Sequence, residues 1–388
     1  MFPNLYYLFN ELFGINIPFL KVFQMFGFMM AMSFLAAYYA FSSEMKRKEK
    51  EGILKPIVNT TTKAQAQKEL QNDLLVSIVM GFVIGFKVLE ALLSGNEFME
   101  NPQSFILSAR GNLLGGIIMA AASGVYRFYQ NKKVVLPDEN GKKTQIHPYQ
   151  LMGNFTVAAA VSGLIGAKIF HNLENWGEFM LDPWGNLFAF SGLTFYGGLL
   201  FGAITVLYLA KKNGIHWREM LDIGAPGMML AYGVGRIGCH LSGDGDWGIV
   251  NTANKPGWLS WTPDWFWAYK YPHNVLREGV PIEGCEGEYC FELAQAVFPT
   301  PFYEAIVCLG LFVLLWTLRK RIKIPGVLFG IYMVLNGIER FLIEKIRVNN
   351  KMDFWGLELT QAEIISSTLV IMGIIGIIYF TRFAKKLP

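Results

Sequence analysis

The stretch at residues 231–248, AYGVGRIGCHLSGDGDWG, decides how the rest of the chain is read. An apolar segment runs into Arg236 and on, with no proline and no long linker, into His240, Ser242, Asp244 and Asp246, set among Gly238, Gly243, Gly245 and Gly248. As the end of a membrane helix, this arrangement presents a cation followed by a tight polar loop, a place to hold an anion. An ionisable side chain in hydrocarbon costs about 3 kcal/mol or more unless it is paired or wetted, which marks a functional site by default. The glycines let the backbone take positive φ and approach a ligand closely. The plainer alternative is a helix ending in a glycine-rich turn, with Arg236 snorkelling to lipid headgroups.

The surrounding composition supports the membrane reading. Of 388 residues, 53% are hydrophobic, 15% aromatic and 16% charged, with a mean hydropathy of +0.32, too apolar for an ordinary soluble enzyme. The expected fold class is all-α, a polytopic integral membrane helical bundle. Apolar runs fall at about residues 17–41, 74–93, 113–128, 151–170 and 192–210, then in the segment ending in the opening stretch, then at about 303–318, 327–346 and 364–380. Most approach the length that crosses a hydrocarbon core of about 30 Å at about 1.5 Å per residue. The first has no basic n-region and no small-residue cleavage site, so it reads as a retained helix.

Counting these runs alternately outward and inward gives about nine transmembrane helices, an external N terminus and a cytoplasmic C terminus. The strongly basic stretches MKRKEK, NKK, GKK, KKN and RKRIK then share one side, as the retention of lysine and arginine in the cytoplasm requires. On this basis the placement of the basic groups matters more than the net charge of +4. Residues 1–388 read as a single membrane domain, and 241–299 as an extracytoplasmic loop region rich in Asp, Glu, Trp and Pro.

Several local readings accompany this topology. Residues 42–73 read as a cytoplasmic loop with some amphipathic helix, and LPDENGKK as a turn between short extended arms. Lys87 and Glu90 suit an intrahelical or interfacial pair. Gly163, Gly166 and Ala167 allow close helix approach. The acidic connection HNLENWGEFMLDPWGN carries two tryptophans of an interfacial kind. Cys285 and Cys290 lie in the external loop, where a disulfide persists, and a stapling bond is preferred there to two free thiols. Cys239 and Cys308 suit small packing positions. No CxxC spacing and no regular set of His and carboxylate ligands suggests a metal, and no cofactor is implied.

Other polar groups interrupt apolar segments. Tyr196 stands beside Gly197 and Gly198, and PTPFYE at 299–304 brings Tyr303 and Glu304 to the outer mouth of a helix. Arg340, Glu344 and Arg347, spaced by four and then three, share one helical face just after Glu339. A buried ion pair would explain any one of these. Arg236 and Arg340 in separate spans, with Glu304, Glu344, Tyr196 and His240, exceed what packing needs. Two guanidinium forks in the outer half of a bilayer suit a phosphate, and the natural candidate is a phospholipid headgroup.

These residues also carry a family resemblance. The chain resembles the prolipoprotein diacylglyceryl transferases, whose signature runs G-R-x-G-N-F-x-N-x-E-x-W-G. Gly235-Arg236-Ile237-Gly238 and Trp247-Gly248 match it, while the interior, Cys239 to Asp246, has one extra residue. The family's H-G-G-L is Tyr196-Gly197-Gly198-Leu199 here, its H-P-S-Q-L-Y-E segment keeps Pro299, Tyr303 and Glu304, and its R-x-x-x-E-x-x-R pattern keeps Arg340, Glu344 and Arg347. The agreement runs from about residue 150 to the C terminus, with Phe26-Gly27 matched separately, and the spans between residues 74 and 128 resemble an insertion relative to the family's seven helices.

The resemblance implies transfer of a diacylglyceryl group from phosphatidylglycerol to the cysteine thiol of a prolipoprotein signal peptide, in a multi-pass protein of the bacterial cytoplasmic (inner) membrane. The residues it implies as catalytic are Tyr196, Arg236 and Arg340, to which the chain's own residues add His240. Those it implies as substrate-binding are Gly197, Gly198, Gly235, Gly238, Ser242, Asp244, Asp246, Tyr303, Glu304, Glu344 and Arg347. The family's histidine, usually proposed as base, is Tyr196 here, a phenol of ordinary pKa ~10; the base is either Tyr196 or His240, whose ordinary pKa of ~6.5 suits a substitute, with a packed histidine as the plainer alternative. Alternatives are a phospholipid-modifying transferase with a different acceptor, or a non-catalytic lipid-binding or transport protein. No convincing internal repeat favours a transporter, and the scattered basic clusters give nucleic-acid binding no support.

Overall fold

Apolar segments that meet lipid must satisfy their own backbone polar groups, and helices do this within one segment. The computed structural model, which describes residues 1–61, 63–94, 105, 108–133, 142–188, 192, 194–349, 351–354 and 357–383, is accordingly mostly helical. Its helices are α1 (Leu5–Phe13), α2 (Met25–Lys50), α3 (Lys63–Leu93), α4 (Leu113–Lys132), α5 (Met152–Glu174) and α6 (Trp176–Leu181), followed by α7 (Pro183–Phe188), α8 (Phe195–Lys212), α9 (Trp217–Ser242), α10 (Thr300–Leu318), α11 (Val327–Glu344) and α12 (Gln361–Arg382). Five segments are long and apolar enough to cross a membrane: α2, α3, α5 with the turn before it, α10 and α12. Helices α9 and α11 are 26 and 18 residues long and carry the charged groups of the site.

The chain divides into two compact units. The smaller comprises residues 12–22 and 56–146. It is built on the packed pair α3 and α4 and on an antiparallel ladder of β1 (Ile57–Thr61) with β2 (Lys142–Ile146), in which Asn59 faces Thr144. The arm at 142–146 is therefore extended, but its partner lies far upstream. The proposed turn at 136–143 falls mostly outside the described residues, as does most of the connection SGNEFMENPQS. Lys87 and Glu90 do not pair with each other. Lys87 Nζ donates to the carbonyls of Phe105, Ser108 and Arg110, while Glu90 takes Arg110 at 3.6 Å and the Ser94 hydroxyl at 3.3 Å.

The larger unit comprises residues 1–11, 23–55 and 147–388. Within it α9 packs on α2 and on α10, α11 on α12, and α5 on α8. One apolar cluster joins Met45, Leu54, Met152, Phe155, Ala210 and Ile223, and another joins Ala225, Met229, Cys308, Leu315 and Leu328. The charged stretch after residue 42, expected as loop, continues α2 to Lys50. Its charges find partners: Glu44 meets Arg47 and Arg319, both at 2.5 Å, and Lys48 pairs with Glu219. Likewise α3 begins at Lys63, inside the polar TTTKAQAQKEL segment.

Helix α9 stops where a residue of positive φ is needed. Gly243 takes φ 63°, and a Cβ there would stand 3.0 Å from Cβ of Asn274. The segment after it is irregular, with one short pairing of β3 (Val280–Pro281) with β4 (Phe291–Glu292). Cys285 and Cys290 form a disulfide in the turn between these strands. Buried Asn274 holds three carbonyls of this segment, those of Tyr271, Glu278 and Phe291. After α11, β5 (Lys351–Phe354) and β6 (Leu357–Thr360) form an antiparallel pair that leads into α12.

Candidate functional site

Glu304 is the centre of the site. It lies in the first turns of α10, fully buried, and three guanidinium groups converge on its carboxylate. Arg236 Nε of α9 lies 3.2 Å from Oε2, Arg340 Nη1 of α11 lies 3.1 Å from Oε1, and Arg347 Nη1, just past α11, lies 3.4 Å from Oε2. The Tyr232 hydroxyl donates to Oε1 at 3.1 Å, and the Tyr232 ring lies 5.3 Å from the Arg236 guanidinium carbon. Three cations cannot share so small a volume without anions between them. Asp246 supplies a second, pairing with Arg236 and with Arg347 Nη2 at 2.6 Å, and Glu344 a third, 2.9 Å from Arg340 Nη2.

Local sequence explains how these groups meet. Arg236 and Tyr232 are one turn apart on α9, and Arg340 and Glu344 one turn apart on α11. Asp246 is fixed through its backbone, whose carbonyl accepts the Thr300 hydroxyl at 2.7 Å. Gly248 pairs with Arg347 in an isolated bridge, which ties the signature loop to the end of α11. Burial raises the Asp246 carboxyl, but attraction to Arg236 and Arg347, with their hydrogen bonds, outweighs this and holds it below the ordinary carboxylate value. Arg236 and Arg340 keep 19% and 22% of their side chains exposed and Arg347 only 9%, so the first two remain open to a ligand.

Other expected site residues stand differently. His240 is buried in an aromatic surround of Trp265, Tyr269, Tyr271 and Phe302, with Nδ1 3.3 Å from the Tyr271 hydroxyl. Among the described residues it makes no hydrogen bond or ion pair with the arginine cluster. Tyr196 is on the exposed side of α8, within electrostatic reach of Arg340 and Glu344. Ser242 turns its hydroxyl back to the carbonyls of Gly238 and Cys239, at 2.8 and 3.3 Å. Tyr303 donates to the carbonyl of Phe266 at 2.8 Å and so anchors the external segment to α10.

The motif glycines divide in the same way. A Cβ on Gly197 would lie 2.3 Å from the Gly166 carbonyl oxygen, and one on Gly238 would lie 2.8 Å from Met29 Cβ, so these two serve helix contacts. Gly198 faces the Gly163 carbonyl in the same crossing, whereas Gly235 has open space beside it. Tyr232 was missed by the sequence reading; its position one turn before Arg236 is the signal that points to it. Asp244 lies beside the cluster, with Cys239 and Asp246, and its ligand atoms and theirs fall within 4.8 Å of one another. Attraction of Asp246 to two arginines leaves that trio poorly suited to a cation, and no other His, Cys or carboxylate group among the described residues has metal-holding geometry.

Comparison with known proteins bears on the family of the chain. The family model for prolipoprotein diacylglyceryl transferase matches residues 116–379, which include every residue of the arginine cluster. A phosphatidylglycerol–prolipoprotein diacylglyceryl transferase of Streptococcus sanguinis is 29% identical over 263 residues, covering 66% of this chain and 88% of that protein. The protein of the same name from Clostridioides difficile is 29% identical over 235 residues, 60% of this chain and 79% of its own length. That of Leptospira interrogans is 29% identical over 214 residues, 48% of this chain, and the match takes in 58% of that relative, less than two thirds of it. With the family model matching well over half of its length, the chain belongs to the prolipoprotein diacylglyceryl transferase family.

Proposed function

We propose that the chain transfers a diacylglyceryl group from phosphatidylglycerol to the thiol of a prolipoprotein signal-peptide cysteine, releasing glycerol phosphate. The observation that carries the reading is the convergence of Arg236, Arg340 and Arg347 on one buried carboxylate, inside the segment that matches the family. In the reaction the acceptor thiolate attacks the glycerol carbon that bears the phosphate, and the carbon–oxygen bond breaks. Charge grows on the departing phosphate, and preorganised donors aimed at it lower the barrier. Arg236 and Arg340, the more open pair, take that role. Glu304, Asp246 and Glu344 hold the guanidinium planes in place beforehand, so little reorganisation accompanies the reaction. Gly235, with open space at its Cα, lets the lipid approach the α9 backbone.

The reading includes a topology. Nine spans, with the N terminus outside and the C terminus in the cytoplasm, put the arginine cluster near the outer face of the bacterial inner membrane, where a signal peptide emerges. The pair α3 and α4 is then an addition to the family's seven helices. The test uses purified protein with labelled phosphatidylglycerol and a lipobox peptide. Glycerol phosphate release and a mass gain on the peptide cysteine are the expected signals, each reduced about 100-fold or more in Arg236→Ala and in Arg340→Ala. Phosphatidylglycerol binding with neither signal would remove the transferase reading.

A further inference from the structure

We propose that Asp244 is the base that takes the proton from the acceptor thiol, an assignment that rests on the transferase reading above. Of the carboxylates gathered at the end of α9 and in α10 and α11, Asp246, Glu304 and Glu344 each pair with arginine. Among the described residues Asp244 and Glu339 make no such ion pair, and a carboxylate committed to a guanidinium has little proton affinity left. Asp244 is partly open, whereas Glu304, Glu339 and Glu344 are buried. Its position suits sulfur: Cys239 Sγ lies within 4.8 Å of an Asp244 oxygen, and is in turn 3.7 Å from Arg236 Nη1. A carboxylate with one thiol beside it at this spot, one side chain away from the guanidinium that would hold the phosphate, is in reach of a second thiol brought to the same lipid.

The groups facing Asp244 are Cys239 and Arg236 of α9, Asp246 of its own loop and Tyr271 of the external segment. Burial first, and then the negative Asp246, raise its carboxyl above the ordinary carboxylate value, which brings it closer to a thiol. His240, by contrast, directs Nδ1 to Tyr271 within its aromatic surround. The step balances without a further reactant. The thiol S–H bond breaks, its proton passes to an Asp244 oxygen and the electron pair stays on sulfur. The thiolate forms the S–C bond to glycerol as the C–O bond to phosphate breaks, and that electron pair leaves on the phosphate oxygen. Glycerol phosphate then takes up the Asp244 proton, directly or through water.

The experiment measures transfer from phosphatidylglycerol to a lipobox peptide, from pH 4 to 9, by the full chain and by Asp244→Asn and Asp244→Glu. Asp244→Asn is expected to lower kcat at neutral pH by about 100-fold or more, with KM for phosphatidylglycerol within about twofold, and Asp244→Glu to recover about tenfold of the loss. Because the folded carboxyl is raised, wild-type kcat falls as the pH drops through a value above the ordinary ~3.9. In Asp244→Asn that acid limb disappears, and the rate climbs as the peptide thiol ionises by itself near pH ~8.5. An Asp244→Asn protein within about threefold of wild type, or one that keeps the acid limb, overturns the assignment. If Asp244→Asn does not fold, Asp244→Glu decides: a displaced acid limb supports the proposal and an unmoved one overturns it. An inactive wild type removes the transferase reading and this assignment together, whereas an active wild type with an equally active Asp244→Asn removes the assignment alone.

Discussion

Glu304 is the residue on which the site depends most heavily. It is fully buried and receives Arg236, Arg340, Arg347 and Tyr232. Removing one member of a buried charge network leaves the others uncompensated, at a cost of about 3–5 kcal/mol. Glu304→Gln keeps the shape but leaves three guanidinium groups with two paired carboxylates. We expect a large fall in the thermal unfolding midpoint in detergent and loss of transfer; an unfolding midpoint equal to wild type would show that the arginines do not need this carboxylate. At this scale much of the site was legible. Arg236, Glu304, Arg340, Glu344 and Arg347 stand out in the sequence because charges are rare in apolar runs. The surroundings of His240 were not, because Trp265, Tyr269 and Tyr271 come from an irregular segment whose path no periodicity reveals.

The same contrast governs the elements. Gly197 and Gly235 both lie in family motifs, and sequence alone gives them one role. In the structure Gly197 lets α8 touch the backbone of α5, while Gly235 faces empty space. A methyl group at Gly197 would meet the Gly166 oxygen at 2.3 Å and Phe170 Cβ at 2.6 Å, which the backbone must move to relieve. Gly197→Ala is therefore expected to destabilise the protein by about 1–3 kcal/mol, and Gly235→Ala to leave the unfolding midpoint close to wild type. Equal midpoints for the two variants would contradict the close crossing. Helix centres were readable from apolar runs, but ends such as that of α2 were not. Its last turns are held by Glu219 and Arg319, 171 and 275 residues away from Lys48 and Glu44, and local sequence holds no sign of such partners.

For the whole molecule, the proposed topology makes a prediction that requires no catalysis. Among the described residues, α2 to α5 and α8 to α12 are each at least 18 residues long, and of these α2, α3, α5, α10 and α12 are also apolar enough to cross a membrane. Trp261 lies in the segment between α9 and α10 and is 82% exposed, while Lys211 is exposed at the end of α8. Cys239 and Cys308 are buried and Cys285 is bonded to Cys290, so native thiols give little background. A membrane-impermeant thiol reagent applied to intact cells is expected to label Trp261→Cys and to spare Lys211→Cys. Labelling of Lys211→Cys alone would invert the topology. The basic loops fixed this expectation in the sequence, whereas the bounds of the smaller unit, 12–22 and 56–146, were not legible, because they depend on which segments pack together.

The six ion-paired groups of the site also have an order along the chain: Arg236, Asp246, Glu304, Arg340, Glu344, Arg347. Signs alternate closely enough that, as synthesis proceeds, their running sum moves between plus one and minus one and ends at zero. A lone arginine at mid-membrane is disfavoured by about 3 kcal/mol during insertion. Arg236 meets the first acid that pairs with it, Asp246, ten residues later, before the next helix has been made. Arg340 and Arg347 each arrive when the nascent cluster is one negative charge in excess, so a site holding three arginines is assembled at the membrane without ever accumulating their combined charge.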